Sequence, residues 1–168
     1  MNNTGSPLRR ASNLIKGLIT AMLIGLATPA IAAPEVNITP GGVLVDGKPG
    51  PGLAVHGYDP VAYFKQGKPV IGNPDYAFIY QKASYRFSSK ANLETFKSNP
   101  AKYAPVYGGY CAYGVSVGAK FDGSPQHWKI VDGKLYLNLD KKIADAFNKD
   151  VKGAIKKADT NWVDLKNK

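Results

Sequence analysis

The sequence predicts a small single-domain α+β fold, with an antiparallel sheet built from hairpins and packed against several short helices. Three observations carry that reading. Two aromatic or apolar runs, over residues 76–88 and 128–138, each double back across a short polar link. Segments with helix caps and helical spacing lie between and after them. Strands and helices mix without the regular βαβ alternation of a parallel sheet. The chain has 168 residues, 44% hydrophobic and 20% charged, which is the composition of a folded domain. Its single cysteine excludes an intramolecular disulfide framework and a Cys-rich zinc ribbon. No segment recurs at a period of roughly 20–50 residues, which argues against a solenoid or propeller.

Residues 1–32 read as a secretory signal peptide. Arg9, Arg10 and Lys16 are the only charges before Glu35, an apolar stretch runs from Gly17 to Ala33, and Ala30-Ile31-Ala32 supplies the small-residue cleavage pattern. Cleavage near Ala32 makes the mature protein periplasmic or secreted. The apolar stretch is short for a membrane span and contains Gly25 and Pro29, so no stable span is expected after cleavage. Ala11-Ser12-Asn13-Leu14 after the arginine pair fits the general secretory route better than the twin-arginine route. Cleavage removes three of the 22 basic residues and none of the 12 acidic ones, so the net charge falls from +10 to +7. The lysines of the C-terminal third alternate with Asp140, Asp145, Asp150, Asp159 and Asp164. Mixed signs at helical spacing describe a solvated helix face and not a nucleic-acid surface.

The mature chain then reads in order. Residues 33–52, rich in Pro and Gly, predict a loose segment or one edge strand. Leu53-Ala54-Val55-His56 reads as a strand. Asp59-Pro60 opens a helix that Gly67 ends, because Asp caps the first turn and Pro needs no N–H partner there. Tyr76–Tyr80 and Ser84–Ser88 predict a hairpin. Ser88 or Ser89 caps the next helix, which Asn99-Pro100 stops. Tyr103, Tyr107, Tyr110 and Gly114 fall on one face at helical spacing, predicting a further helix weakened by its glycines. Asp132-Gly133 is a two-residue hairpin turn between Trp128–Val131 and Lys134–Asn138. Asp140 caps an amphipathic helix with Ile143, Ala146 and Phe147 inward. A last helical stretch passes through Val151, Ile155 and Ala158, leaving residues 164–168 as a tail.

Four segments together resemble the YHS-domain proteins of the exported bacterial type. They are Gly57-Tyr58-Asp59-Pro60-Val61-Ala62-Tyr63-Phe64; Tyr85-Arg86-Phe87-Ser88-Ser89 with Phe96 and Asn99-Pro100-x-x-Tyr103; Tyr107-Gly108-Gly109-Tyr110-Cys111-Ala112; and Gly133-Lys134-Leu135-Tyr136-Leu137-Asn138. The resemblance covers roughly residues 53–163. It implies kinship with metal-sensing modules that use three cysteines. The matching positions here are Ala62, Ser88 and Asn92, so all three thiolates are missing and the family's soft-metal site does not carry over. Some members of the exported type contain selenocysteine. A match of that position to Cys111 would favour a redox-active thiol.

What remains for chemistry is a short set of donors. Cys111, His56 and His127 are the soft ligands of the mature chain, with Asp59 as an oxygen donor. Copper or zinc is the metal such a set would take, in a three-coordinate or open site. Tyr58, Tyr110 and Tyr113 are the candidates to line a pocket beside them. Each has a plainer reading: Cys111 as a buried inert thiol, the histidines as solvent-facing groups, Asp59 as a helix cap. No catalytic triad, phosphate loop, paired zinc histidines or dinucleotide fingerprint is present. The sequence therefore points to a non-enzymatic binding module for a transition metal, centred on Cys111 with His56 or His127, and the partner expected is a metal ion or an envelope protein. A single-thiol redox protein and a structural or partner-binding domain with an inert cysteine are the alternatives.

Overall fold

In a computed structural model, which describes Met1, Asn2 and residues 35–168, the chain after Glu35 folds as an α+β unit. The signal peptide and cleavage site expected from the sequence, apart from Met1 and Asn2, lie outside the described residues. Strands β1 (Val43–Val45) and β2 (Lys48–Gly50) form a small antiparallel hairpin around Asp46-Gly47. This replaces the loose segment or single strand expected there. Asp46 and Gly47 sit at φ +51° and +71°, the conformation a two-residue Asp-Gly turn requires.

The strand expected at Leu53–His56 does not form. Leu53 and Ala54 make only isolated bridges, to Ser84 and Ile38. Val55, His56 and Gly57 instead form a left-handed turn at φ +50°, +51° and +80°. A β-branched residue such as Val55 is strained in that region. Helix α1 (Pro60–Gln66) follows, capped by Asp59 and closed by Gly67 in the left-handed region. Strands β3 (Asn73–Tyr80) and β4 (Ala83–Phe87) form the expected hairpin across Gln81-Lys82. Ser89 caps helix α2 (Lys90–Ser98). Asn99 ends α2 and also caps a short new helix, α3 (Pro100–Tyr103).

The helix expected through Tyr103, Tyr107, Tyr110 and Gly114 is broken. Ala104 and Pro105 are extended, and Tyr107, Gly108 and Gly109 turn at φ +55°, +61° and +84°. The cause is a close approach: the Gly108 carbonyl accepts from Asn37 N–H at 2.9 Å, and a Cβ on Gly108 would collide with the Glu35 carbonyl. The helix starts only after Cys111, as α4 (Ala112–Ser116). Strands β5 (Ser124–Val131) and β6 (Lys134–Asn138) pair across Asp132-Gly133, as expected. Helices α5 (Lys141–Lys149) and α6 (Val151–Leu165) complete the chain, capped by Asp140 and Asp150. Among the described residues there are thus six α-helices and three two-stranded antiparallel sheets, not one shared sheet. None of those helices is long and apolar enough to cross a membrane.

Two clusters of buried side chains hold these elements. One gathers Tyr63, Tyr85, Phe87 and Phe96 with Leu135 and Leu137 from β6. The other gathers Tyr107, Tyr110, Val115, Tyr136, Phe147 and Ala158. Phe147 is inward on α5 as expected, while Ile143 and Ala146 are only half-buried.

Candidate functional site

Asp59 is fully buried at the start of α1 and accepts five hydrogen bonds. Oδ1 takes the N–H groups of Val61 (2.8 Å) and Ala62 (3.3 Å), the first-turn donors that every helix leaves without an internal partner. Oδ2 takes Ser88 N–H (2.8 Å), Ser88 Oγ (2.7 Å) and Asn92 Nδ2 (2.7 Å). One carboxylate therefore ties α1 to the end of β4 and to α2. Ala62, Ser88 and Asn92, the positions that the sequence resemblance sets against cysteines, are all bonded to it. The cap is the plainer of the two readings of Asp59, and it is the one the geometry carries.

Cys111 is 1% exposed and caps α4 in the same manner. Its Sγ accepts the Gly114 N–H at 3.3 Å and lies 3.8 Å from Asn138 Oδ1, which also accepts the Tyr113 N–H at 3.2 Å. Burial pushes the thiol up from its ordinary value, and the nearby N–H groups of Gly114, Leu139 and Tyr113 offset that only in part. A thiol held protonated in this way is a poor nucleophile and a poor metal ligand.

His56 stands apart from both. Its side chain is 37% exposed, and Nε2 lies 2.8 Å from Asp122 Oδ1. The same oxygen accepts Asn37 Nδ2 at 2.6 Å, and Asn37 Nδ2 also reaches the Gly109 carbonyl at 3.4 Å. This surface cluster joins the two left-handed turns. His127 sits half-buried in β5. Among the described residues, no three His, Cys, Asp or Glu side chains are placed to hold a metal ion together, so Cys111, His56, His127 and Asp59 do not converge.

The three candidate pocket tyrosines have three different neighbourhoods. Tyr58 OH accepts from Gln126 Nε2 at 3.2 Å. Tyr110 is buried against Trp162, with Lys120 Nζ 5.1 Å from its ring centre. Tyr113 borders a cavity of about 350 Å³ with Val117, Ala146 and Lys149. Asp122, Asn37 and Asn138 were not singled out from sequence. Asp122 is 66 residues from His56, and no local pattern joins them.

The fold and these two capped helix starts define a class of small α+β domain whose strongest polar site is internal. No family model matches the chain, and no curated protein or solved structure matches it.

Proposed function

We propose that the protein is an exported, non-enzymatic binding module of YHS type in which Cys111 serves as a structural cap and not as a metal ligand. The observation that carries the mechanism is the setting of Cys111: sealed from solvent, bonded to a helix N–H, and raised in pKa by burial. Metal handling through Cys111 with a histidine needs donors that meet, and among the described residues no such group of three forms. The class rests on the four resembling segments. The gathering of Ala62, Ser88 and Asn92 about Asp59 supports it, because positions that hold a metal in the related modules would be neighbours here too. In this chain hydrogen bonds to a carboxylate take over the cross-linking that a metal would supply.

The test is alkylation of the native protein by iodoacetamide, followed by intact mass. The expected result is no adduct in the native state and one adduct after denaturation. Calorimetric titration with copper or zinc should give the same trace for wild type and Cys111→Ser. Stoichiometric labelling of the native protein, or metal binding that disappears in Cys111→Ser, would overturn the reading.

A further inference from the structure

The two halves of the chain share a series of local features in the same order. Each starts with a left-handed turn. Val55, His56 and Gly57 have φ +50°, +51° and +80°, while Tyr107, Gly108 and Gly109 have +55°, +61° and +84°. The partner of each residue lies 52 positions on. An extended tyrosine follows, Tyr58 or Tyr110 (ψ 147° and 158°), and then the cap, Asp59 or Cys111. The cap's own N–H donates to Val70 O at 2.8 Å in the first half and to Phe121 O at 2.9 Å in the second.

From there the displacement is 51 residues. The hairpins β3–β4 and β5–β6 have equal strand lengths and an irregularity at the same place. Register passes from Asn73↔Phe87 to Ala77↔Arg86 in one, and from Ser124↔Asn138 to Trp128↔Leu137 in the other. Both turn through two residues at positive φ, Gln81-Lys82 and Asp132-Gly133. Ser89 and Asp140 then cap helices of nine residues each. Asn99 (φ −155°, ψ 75°) and Asp150 (φ −148°, ψ 74°) each end one helix and cap the next. Phe96 and Phe147 are both fully buried, and each meets an equivalent tyrosine at a similar tilt: 33° to Tyr85 and 35° to Tyr136.

We propose that residues 53–103 and 105–165 are two copies of one structural module fused in tandem, with Cys111 in the capping place that Asp59 holds in the first copy. The donors around the two caps support this pairing. Val61, Ala62 and Ser88 present N–H groups to Asp59, and their counterparts Tyr113, Gly114 and Leu139 face Cys111 Sγ. The side-chain donors differ together with the cap. Ser88 and Asn92 correspond to Leu139 and Ile143, which cannot donate from the side chain. A buried carboxylate needs those extra donors, whereas a neutral thiol does not. The second copy has replaced a charged cap and its donors with an uncharged one as a set. This inference does not depend on the proposed function, because it concerns how the fold is built and not what it binds.

The test grafts the first cap onto the second copy of the full chain and follows urea unfolding and near-ultraviolet circular dichroism. Cys111→Asp alone should lower the folding equilibrium constant sharply. Leu139→Ser with Ile143→Asn should lower it as well. Combined, the three should fall short of the product of their separate effects by roughly tenfold, as expected for residues in one hydrogen-bonded network. Multiplicative effects with no coupling would overturn the equivalence. Should Cys111→Asp leave the chain unfolded, the readout is the triple variant: a cooperative native-like transition supports the proposal. An unfolded triple variant beside a folded Leu139→Ser/Ile143→Asn overturns it. Asp59→Cys with Ser88→Leu and Asn92→Ile repeats the cycle in the other direction, and it should show coupling of the same sign.

Discussion

The first half of the domain closes its cap with a charge and the second closes it with a thiol, on nearly the same backbone. Asp59 gathers five donors from three elements, whereas Sγ of Cys111 accepts the Gly114 N–H and takes weaker help from two more. The difference shows that a helix start can be held by a strong bond network or by a buried thiol that mainly fills space. Replacing Asp59 should therefore cost far more than replacing Cys111. Asp59→Ala leaves buried donors on α1, β4 and α2 without an acceptor, and should destabilise by roughly 4–5 kcal/mol. Cys111→Ala should cost about 1–2 kcal/mol, the loss of a cap and a small cavity. Urea unfolding of both variants measures the gap, and equal costs would erase the contrast.

The aromatic anchors sharpen the same comparison one step down. Phe96 is surrounded by the rings of Phe78, Tyr80, Tyr85 and Phe87, at centre distances of 4.9–6.4 Å. Phe147 meets Tyr136 at 6.1 Å. Each Phe→Ala change should cost about 3–5 kcal/mol, with Phe96 at the upper end because its neighbours cannot all move inward. A larger loss for Phe147 would mean that the second core, and not the first, carries the stability of the fold.

Much of this architecture was legible where the signal is local. Asp59-Pro60, Ser89, Asp140 and Asp132-Gly133 each act through donors or turn angles a few residues away, and each does what its sequence predicts. Asp46-Gly47 carries the same turn signal as Asp132-Gly133, but the Pro and Gly residues around it mask the short strands on either side. What escaped sequence reading depends on distance. Residues Tyr103–Gly114 fit a helical face, but the approach of Glu35 and Asn37 to Gly108 decides the backbone there. His56 finds Asp122 across 66 residues. The repeat is faint in the sequence because its period is long, 51–52 residues, and few aligned pairs are identical. Gly57/Gly109, Tyr58/Tyr110, Gly72/Gly123, Tyr85/Tyr136 and Phe96/Phe147 are among those that survive. They persist because backbone clearance and core volume, unlike cap chemistry, have no substitute at those places. A Cβ on Gly72 would press on Arg86, and one on Gly123 would collide with the Gly109 carbonyl.

The turn glycines give a smaller, matched pair of effects. Gly57 and Gly109 lie at φ +80° and +84°, where an L side chain is strained by about 1–2 kcal/mol. The new methyl of Gly57→Ala would lie 3.2 Å from Leu53 Cδ1, the flexible end of a side chain, while that of Gly109→Ala would lie 3.2 Å from Pro105 Cγ in a stiff ring. Both variants should fold with lowered urea midpoints, and Gly109→Ala should be the less stable. A neutral Gly109→Ala would show that the second turn can relax in a way the first cannot, and would weaken the parallel between the halves.

The smallest effect is a difference in how the halves respond to alkali. Burial raises the Cys111 thiol above its ordinary value near 9. Burial likewise raises Tyr63 and Tyr85 in the first half and Tyr107 in the second above the ordinary tyrosine value of 10, with Tyr107 further raised by its hydrogen bond to Asp159. For each of these acids the folded state keeps its proton longer than the unfolded chain does. Their stabilising contribution is whole below the unfolded value and is lost as pH rises from there through the folded value. The thiol titrates first in the unfolded chain, so the decline should begin near pH 9 through Cys111 and steepen above pH 10 through the tyrosines. Replacing Cys111 by Ser should flatten the first part of that decline and leave the second untouched. Unfolding free energies of wild type and Cys111→Ser between pH 8 and 11 test this directly, and identical slopes near pH 9 would mean that the thiol is as free to ionise in the folded domain as in the open chain.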